Sequence, residues 1–274
     1  MKFWILAENT SLNPRLESEH GLSILAEWRG KRILFDMGKT GLFAENAEKL
    51  GLPLDQVETA ILSHGHYDHA GGLPIFLEKN SHAELWMQQS ALEPHFSHRP
   101  SGEDASIGVP PLVISRWRLH LLEGDAVIED GMQLFSRVQG KKFWPQSNQV
   151  LLKKEGDQLV EDDFLHEQNL LLEENGKSVL LTGCSHCGVL NILQEVVGKT
   201  GRVPDILIGG FHLSMPSAGK SEPLETVRAV GEALKQYSCR YYTGHCTGTE
   251  SYLQLKEILG DQLQPISTGL NLIF

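Results

Sequence analysis

Four times along this chain an apolar run ends in a glycine-containing bend that carries a histidine or a cysteine. Residues 57–62 lead into Ser63-His64-Gly65-His66, and residues 178–181 into Thr182-Gly183-Cys184. Residues 206–208 lead into Gly209-Gly210-Phe211-His212, and residues 240–243 into Gly244-His245. Glycine at a strand end lets backbones approach closely. Residues 170–181 read as two strands around an Asn175-Gly176 hairpin turn. The hairpin returns Cys184 to the same end of the sheet as His166, in Phe164-Leu165-His166-Glu167-Gln168-Asn169. A fold that satisfies all of these runs brings several strand ends to one rim, which is what a metal site requires.

The densest of the bends is Ser63-His64-Gly65-His66-Tyr67-Asp68-His69. Imidazole nitrogen and carboxylate oxygen are ligands preferred by zinc and similar borderline divalent ions. One short loop cannot wrap a single ion with all four groups. It can offer His64 and His66 to one ion and Asp68 and His69 to a second. Paired metals about 3.5–4 Å apart clamp and cleave substrates in many enzymes. A polar loop of chance histidines does not account for ligand identity, spacing and strand-end setting together.

His-x-His-x-Asp-His at a strand end resembles the metallo-β-lactamase superfamily, and the resemblance extends over nearly the whole chain. It implies an α/β (α+β) fold, a four-layer αββα sandwich with metals at one sheet edge; pattern alone gives only mixed α and β. It implies that Asp36 braces the metal loop. It also implies a first ion on His64, His66 and His166, and a second on Asp68, His69 and His245 with Cys184 as a further ligand. Cys184 departs from the aspartate that most members place there, and a thiolate seldom bridges two metals as a carboxylate does. The stretches Glu19-His20-Gly21, His166-Glu167-Gln168, Thr182-Gly183-Cys184-Ser185-His186, Gly209-Gly210-Phe211-His212 and Gly244-His245-Cys246-Thr247 are similar to a subgroup. That subgroup includes archaeal dihydropteroate-synthase-like enzymes of pterin metabolism and many metal-dependent hydrolases.

Length and composition set outer bounds. At 274 residues the chain can bury one sizeable two-layer core, and 1–274 reads as a single domain. A hydrophobic share of 41% and a charged share of 22% are ordinary for a soluble globular protein. A formal charge of −11 argues against nucleic-acid or anionic-membrane partners and leaves a small-molecule substrate. The apolar run at 3–7 is too short for a signal peptide, and no stretch approaches the roughly 20 residues of a membrane span. Four cysteines in a chain this long fit a reducing cytoplasm.

Residues 3–7, 22–28, 31–35 and 83–87 read as strands. Residues 42–50, 73–78, 189–197, 224–237 and 251–259 read as helices. Residues 88–149 are the least regular, and long irregular segments are often lids or binding loops. Arg99 in this segment can pair with a substrate carboxylate or phosphate, the alternative being that His95, His98 and Arg99 are solvated. Strand alternation places His186 on the same side as Cys184, either as a ligand or, the preferred reading, in contact with substrate or behind the ligands. His212 at the Gly-Gly bend lines the pocket, and His20 reaches the rim or makes a local hydrogen bond. Cys184 and Cys187 form a CxxC whose metal surroundings make a redox role the weaker reading. Thr247-Gly248-Thr249 either holds an anion on free backbone N–H groups or caps a helix. His82 and His120 read as surface or packing residues.

The expected function is a metal-dependent hydrolase that uses metal-activated water on a small anionic substrate. Asp68, His186 and His212 are its catalytic candidates, and His20, Arg99, His186 and His212 its substrate contacts. Two divalent ions are expected, with zinc favoured over iron or manganese by the histidines and Cys184. The alternatives are a pterin transferase, whose metals hold a diphosphate leaving group, and a non-catalytic metal-binding protein.

Overall fold

Side chains alternate across a strand, so a strand buried on both faces contributes to two cores. In the strand Ser23–Trp28, Ile24, Ala26 and Trp28 enter one core and Leu25 another. Ile33 and Phe35 are likewise divided from Leu34 in Lys31–Phe35. In Gln168–Glu174, Leu170 and Leu172 join the same inner core, while Leu171 faces a third. The inner core therefore lies between two sheets, and each sheet has a further core on its outer face. The structure, a computed structural model, describes residues 1–215 and 219–274.

The first sheet is 7-stranded, in the order Asn271–Ile273, Lys2–Ala7, Ser23–Trp28, Lys31–Phe35, Val57–Ile61, Glu84–Gln88, Leu119–Leu122. The second is also 7-stranded: Leu263–Pro265, Arg240–Gly244, Ile206–Gly210, Lys177–Leu181, Gln168–Glu174, Met132–Ser136, Ala126–Glu129. Helices Leu42–Lys49 and Leu73–Lys79 cover the first sheet through Phe43, Ala47, Leu73 and Phe76. Helices Val189–Thr200, Leu224–Leu234 and Thr249–Leu259 cover the second through Ile192, Val196, Val230 and Leu255. The layers are α, β, β and α, as the sequence led us to expect.

Residues 88–149 are more regular than their sequence suggests. Leu119–Leu122 and Ala126–Glu129 are edge strands of the two large sheets, and Met132–Ser136 is the strand next to the latter edge. His95–His98 and Asp104–Ser106 pair with the hairpin Leu151–Glu155 and Gln158–Glu161 in an accessory 4-stranded sheet. Short, weakly periodic strands of this kind leave little trace in hydropathy. Among the described residues no helix is long and apolar enough to cross a membrane.

Parallel pairing positions the site. Lys177–Leu181, Ile206–Gly210 and Arg240–Gly244 run parallel, so their C-terminal ends share one edge of the second sheet. Lys31–Phe35 and Val57–Ile61 do the same in the first. The Gln168 N–H donates to Ser63 O at 2.7 Å and joins the two edges. A Cβ on Gly183 would lie 2.2 Å from Ser63 Oγ, so the sheets touch where the ligand-bearing bends emerge.

Candidate metal centre

The metal loop is held from below by one carboxylate. Asp36 is fully buried and accepts hydrogen bonds from Ser63 N (2.7 Å), Ser63 Oγ (2.7 Å) and His69 Nδ1 (2.6 Å). Its backbone is left-handed, with φ of 59°, a conformation Asp tolerates better than most residues. A short helix, Tyr67–Ala70, carries Asp68 and His69 inward. This turn was not anticipated from the sequence, because the ligand residues obscure any apolar period.

Hydrogen-bond partners fix which nitrogen of each ring carries a proton. Ser63 Oγ donates to Asp36, so it accepts from His64 Nδ1 at 2.8 Å. His186 Nδ1 faces Asn148 Oδ1 at 3.2 Å, while the Asn148 amide donates to His186 O. Both rings therefore keep a bare Nε2, and these two atoms stand 3.3 Å apart. His66 Nε2 is buried without a partner among the described residues. The rings of His64, His66 and His186 form a near-equilateral triangle, with centroids 4.6, 4.7 and 4.9 Å apart. Burial lowers the pKa of all three well below the ordinary imidazole value, which leaves the rings neutral with lone pairs available.

His166 is placed differently from the expectation. Its Nδ1 accepts the Gly65 N–H at 2.9 Å, so the proton sits on Nε2, which faces Asp162 Oδ2 at 3.1 Å. Its ring lies 6.0 Å from His64 and 5.3 Å from His66. His186 takes the inward position instead. The strand preceding it ends at Leu181 and Ser185 has a φ of 61°, so strand alternation no longer holds at His186.

A second cluster lies beside these rings. Ligand atoms of Asp68, His69, Cys184 and His245 all lie within 4.8 Å of one another. His69 Nε2 is 3.1 Å from both Cys184 Sγ and His245 Nε2, and Asp68 Oδ2 is 3.4 Å from His245 Nε2. His245 is turned by Asn9 Oδ1, 3.0 Å from its Nδ1. Such a cluster of lone pairs needs positive charge. Burial opposes a proton on His69, but the Asp36 and Asp68 carboxylates outweigh it and push its pKa up to about 9. Burial, with Cys246 alongside, pushes the Cys184 thiol well up; a coordinated cation reverses that preference. The donor chemistry of both clusters, imidazole with carboxylate and sulfur, fits divalent ions of the zinc type.

A cavity of about 250 Å³ opens on these clusters, with His20, Arg99, His186, His212 and Cys246 in its wall. His20 Nε2 is 3.2 Å from Asp68 Oδ2, so it reaches the rim by way of a proposed ligand. Both ring nitrogens of His212 are buried and unpartnered among the described residues. Arg99 also borders an outer cavity of about 440 Å³, with His98, Lys220 and Glu222. Cys187 packs in the outer core, and all four cysteines are free. Gly248, with a φ of 74°, precedes the helix Thr249–Leu259, which has no side-chain cap. The Thr247 hydroxyl instead accepts from Phe211 N. His120 stacks on Trp86 with centroids 3.9 Å apart. Sequence reading missed Asn9 and Asn148, each remote in the chain from the ring it orients, and Asp162, which lies four residues before His166.

Comparison with known proteins follows the geometry. The family model for the metallo-beta-lactamase superfamily matches residues 19–186. The chain is 28% identical over 298 residues to 7,8-dihydropterin-6-methyl-4-(beta-D-ribofuranosyl)-aminobenzene-5'-phosphate synthase of Methanocaldococcus jannaschii, covering 98% of this chain and 95% of that protein. An uncharacterized protein of the same organism is 26% identical, with 93% of each chain covered. The crystal structure of Tm1679, a metal-dependent hydrolase of the beta-lactamase superfamily, superposes with a TM-score of 0.82 at 28% identity, covering 100% of this chain and 99% of that one. Zn(2+)-bound PqqB from Methylobacterium extorquens shares the fold at a TM-score of 0.60 and 12% identity, over the full length of both chains. The chain belongs to the metallo-beta-lactamase superfamily.

Proposed function

We propose that the protein is a metal-dependent hydrolase of small anionic substrates with two divalent ions, zinc the preferred one. The observation that carries this reading is the pair of bare Nε2 atoms of His64 and His186, 3.3 Å apart with no proton to share. Two buried lone pairs at that distance repel unless a cation lies between them. His64, His66 and His186 would hold one ion, and Asp68, His69, Cys184 and His245 the other. When bound, such ions supply Lewis acidity towards water and substrate oxygen.

The chain's own residues do the rest. Asp36 and Ser63 set the tautomers of His69 and His64. His20 holds the Asp68 carboxylate from the solvent side. His212, with both nitrogens unpaired among the described residues and lining the cavity, is placed to hold or move a proton on the substrate or leaving group. Arg99 supplies a fixed positive charge at the junction of the two cavities, which favours an anionic substrate in a protein of net charge −11. The four free, buried cysteines fit a reducing cytoplasm.

A second reading is favoured by the similarity along 98% of the chain to a synthase that makes a pterin-containing phosphate. In that case the site would hold a diphosphate leaving group and an amine would attack. The deciding experiment assays zinc-reconstituted protein on lactone, thioester and phosphodiester panels, and separately on a dihydropterin diphosphate with an arylamine. Hydrolytic turnover that disappears in His186→Ala supports the first reading. Diphosphate release that depends on the amine supports the second. No turnover on any of these leaves a metal-binding protein without catalysis.

A further inference from the structure

A second group of ligand-type residues lies beside the first ion's site. His66, His95, Asp162 and His166 place four ligand atoms within 4.8 Å of one another, all buried. Hydrogen bonding argues against a third metal there. Asp162 Oδ2 faces His95 Nδ1 at 2.9 Å and His166 Nε2 at 3.1 Å, and Asp162 Oδ1 accepts the Phe164 N–H at 2.8 Å. His95 Nε2 in turn faces Ser90 O at 3.2 Å. Both carboxylate oxygens already face donors, and each nitrogen of His95 already faces an oxygen.

The network has a free end that points at the metal loop. With its proton on Nε2, His166 offers a bare Nδ1, and the Gly65 N–H donates to it at 2.9 Å. Gly65 separates His64 from His66. It is also pressed against the start of the accessory sheet, since a Cβ there would lie 2.6 Å from Ala91 O and 3.0 Å from the His95 ring. His95 opens the strand His95–His98, and Asp162 follows the strand Gln158–Glu161 of the same accessory sheet.

We propose that His95, Asp162 and His166 are positioning residues through which the accessory sheet fixes the peptide between His64 and His66. Asp162 sets the His166 tautomer, His166 holds the Gly65 amide, and the amide sets the separation of two imidazoles. His166 acts through the loop and not as a ligand. The proposal rests on the reading that His64, His66 and His186 hold one ion, and the test separates the two.

The experiment measures metal content at saturating zinc, and zinc affinity by chelator competition, in the full-length chain. Asparagine can present Oδ1 where His166 presents Nδ1, but it cannot reach as a ligand through the Nε2 position. His166→Ala should keep its full complement of zinc and bind one ion about 10–100-fold more weakly, the range for residues that orient ligands. His166→Asn should recover most of that loss, with cobalt ligand-field bands where the parent has them. A missing ion in either variant at saturating zinc makes His166 a ligand and overturns the proposal. Parent-like affinity in His166→Ala, or no recovery in His166→Asn, overturns it as well. His186→Ala tests the underlying reading by itself: it should lack one ion whatever the His166 variants do.

Discussion

A histidine with a bare nitrogen can hold a cation, and its other nitrogen decides whether that one is bare. Ser63 makes this decision for His64, because its hydroxyl is oriented by Asp36 before it meets the ring. Ser63→Ala removes the acceptor for the Nδ1 proton and lets the ring exchange tautomers. It should lower zinc affinity by about 10–100-fold with little change in fold, measured by chelator competition and circular dichroism. Cys184 presents a different donor. Its sulfur lies 3.1 Å from His69 Nε2, among the second group of ligand atoms. Cobalt-substituted protein should therefore show a sulfur-to-metal charge-transfer band that Cys184→Ser abolishes. A spectrum without such a band, unchanged by the substitution, would make Cys184 a small buried hydrophobe and leave the second ion three protein ligands.

Strands bring these residues together because parallel neighbours end at one edge, and the bends there have no room for side chains. Gly183 shows how little is spare: an added Cβ would lie 2.2 Å from Ser63 Oγ and 3.1 Å from His64 Nδ1. Gly183→Ala should cost about 1–3 kcal/mol by overpacking, and should weaken zinc binding because the displaced atoms are the ones that set the His64 tautomer. Thermal unfolding and zinc titration of the same preparation would show both effects; parent-like values in both would mean that the edge yields. The recurrence of apolar run, glycine and ligand was legible because each instance is contiguous in sequence. His64, His66, Asp68 and His69 follow one short strand, and Cys184 and His245 end two more. The sequence admitted His186 as a ligand but favoured a substrate contact, and alternation could not place it in the inward triangle because it fails once the chain turns at Ser185. The family resemblance implied His166 as a ligand, but its tautomer depends on Asp162, four residues before it, together with Gly65, far off in the chain, and the resemblance does not carry that pairing. The accessory sheet escaped notice because its strands are short and partly exposed, as in Asp104–Ser106.

At the scale of the whole molecule, the core and the metal clusters rest on different residues and should respond to different perturbations. The inner core consists of aliphatic and aromatic side chains from both sheets, among them Leu172, Val179 and Ile208, none of which supplies a ligand. The clusters sit at the edge, where opposed lone pairs repel until positive charge arrives. Metal removal should therefore loosen the edge and spare the sandwich. An ion present at about 100 times its dissociation constant adds roughly 2.7 kcal/mol to stability. For a chain of this size, that corresponds to a shift in Tm on the order of 10 °C or less for one such ion. Chelation should lower Tm by an amount of this order while far-UV circular dichroism at 25 °C stays that of the folded protein. Leu172→Ala should cost about 2–5 kcal/mol by leaving a cavity between the sheets, yet leave zinc content at saturation unchanged. The two effects should add, because the sites share no partner. A chelated protein that loses its secondary structure at 25 °C, or a Leu172→Ala variant that loses an ion, would show that the metals help to hold the sheets together and would contradict this separation of core from site.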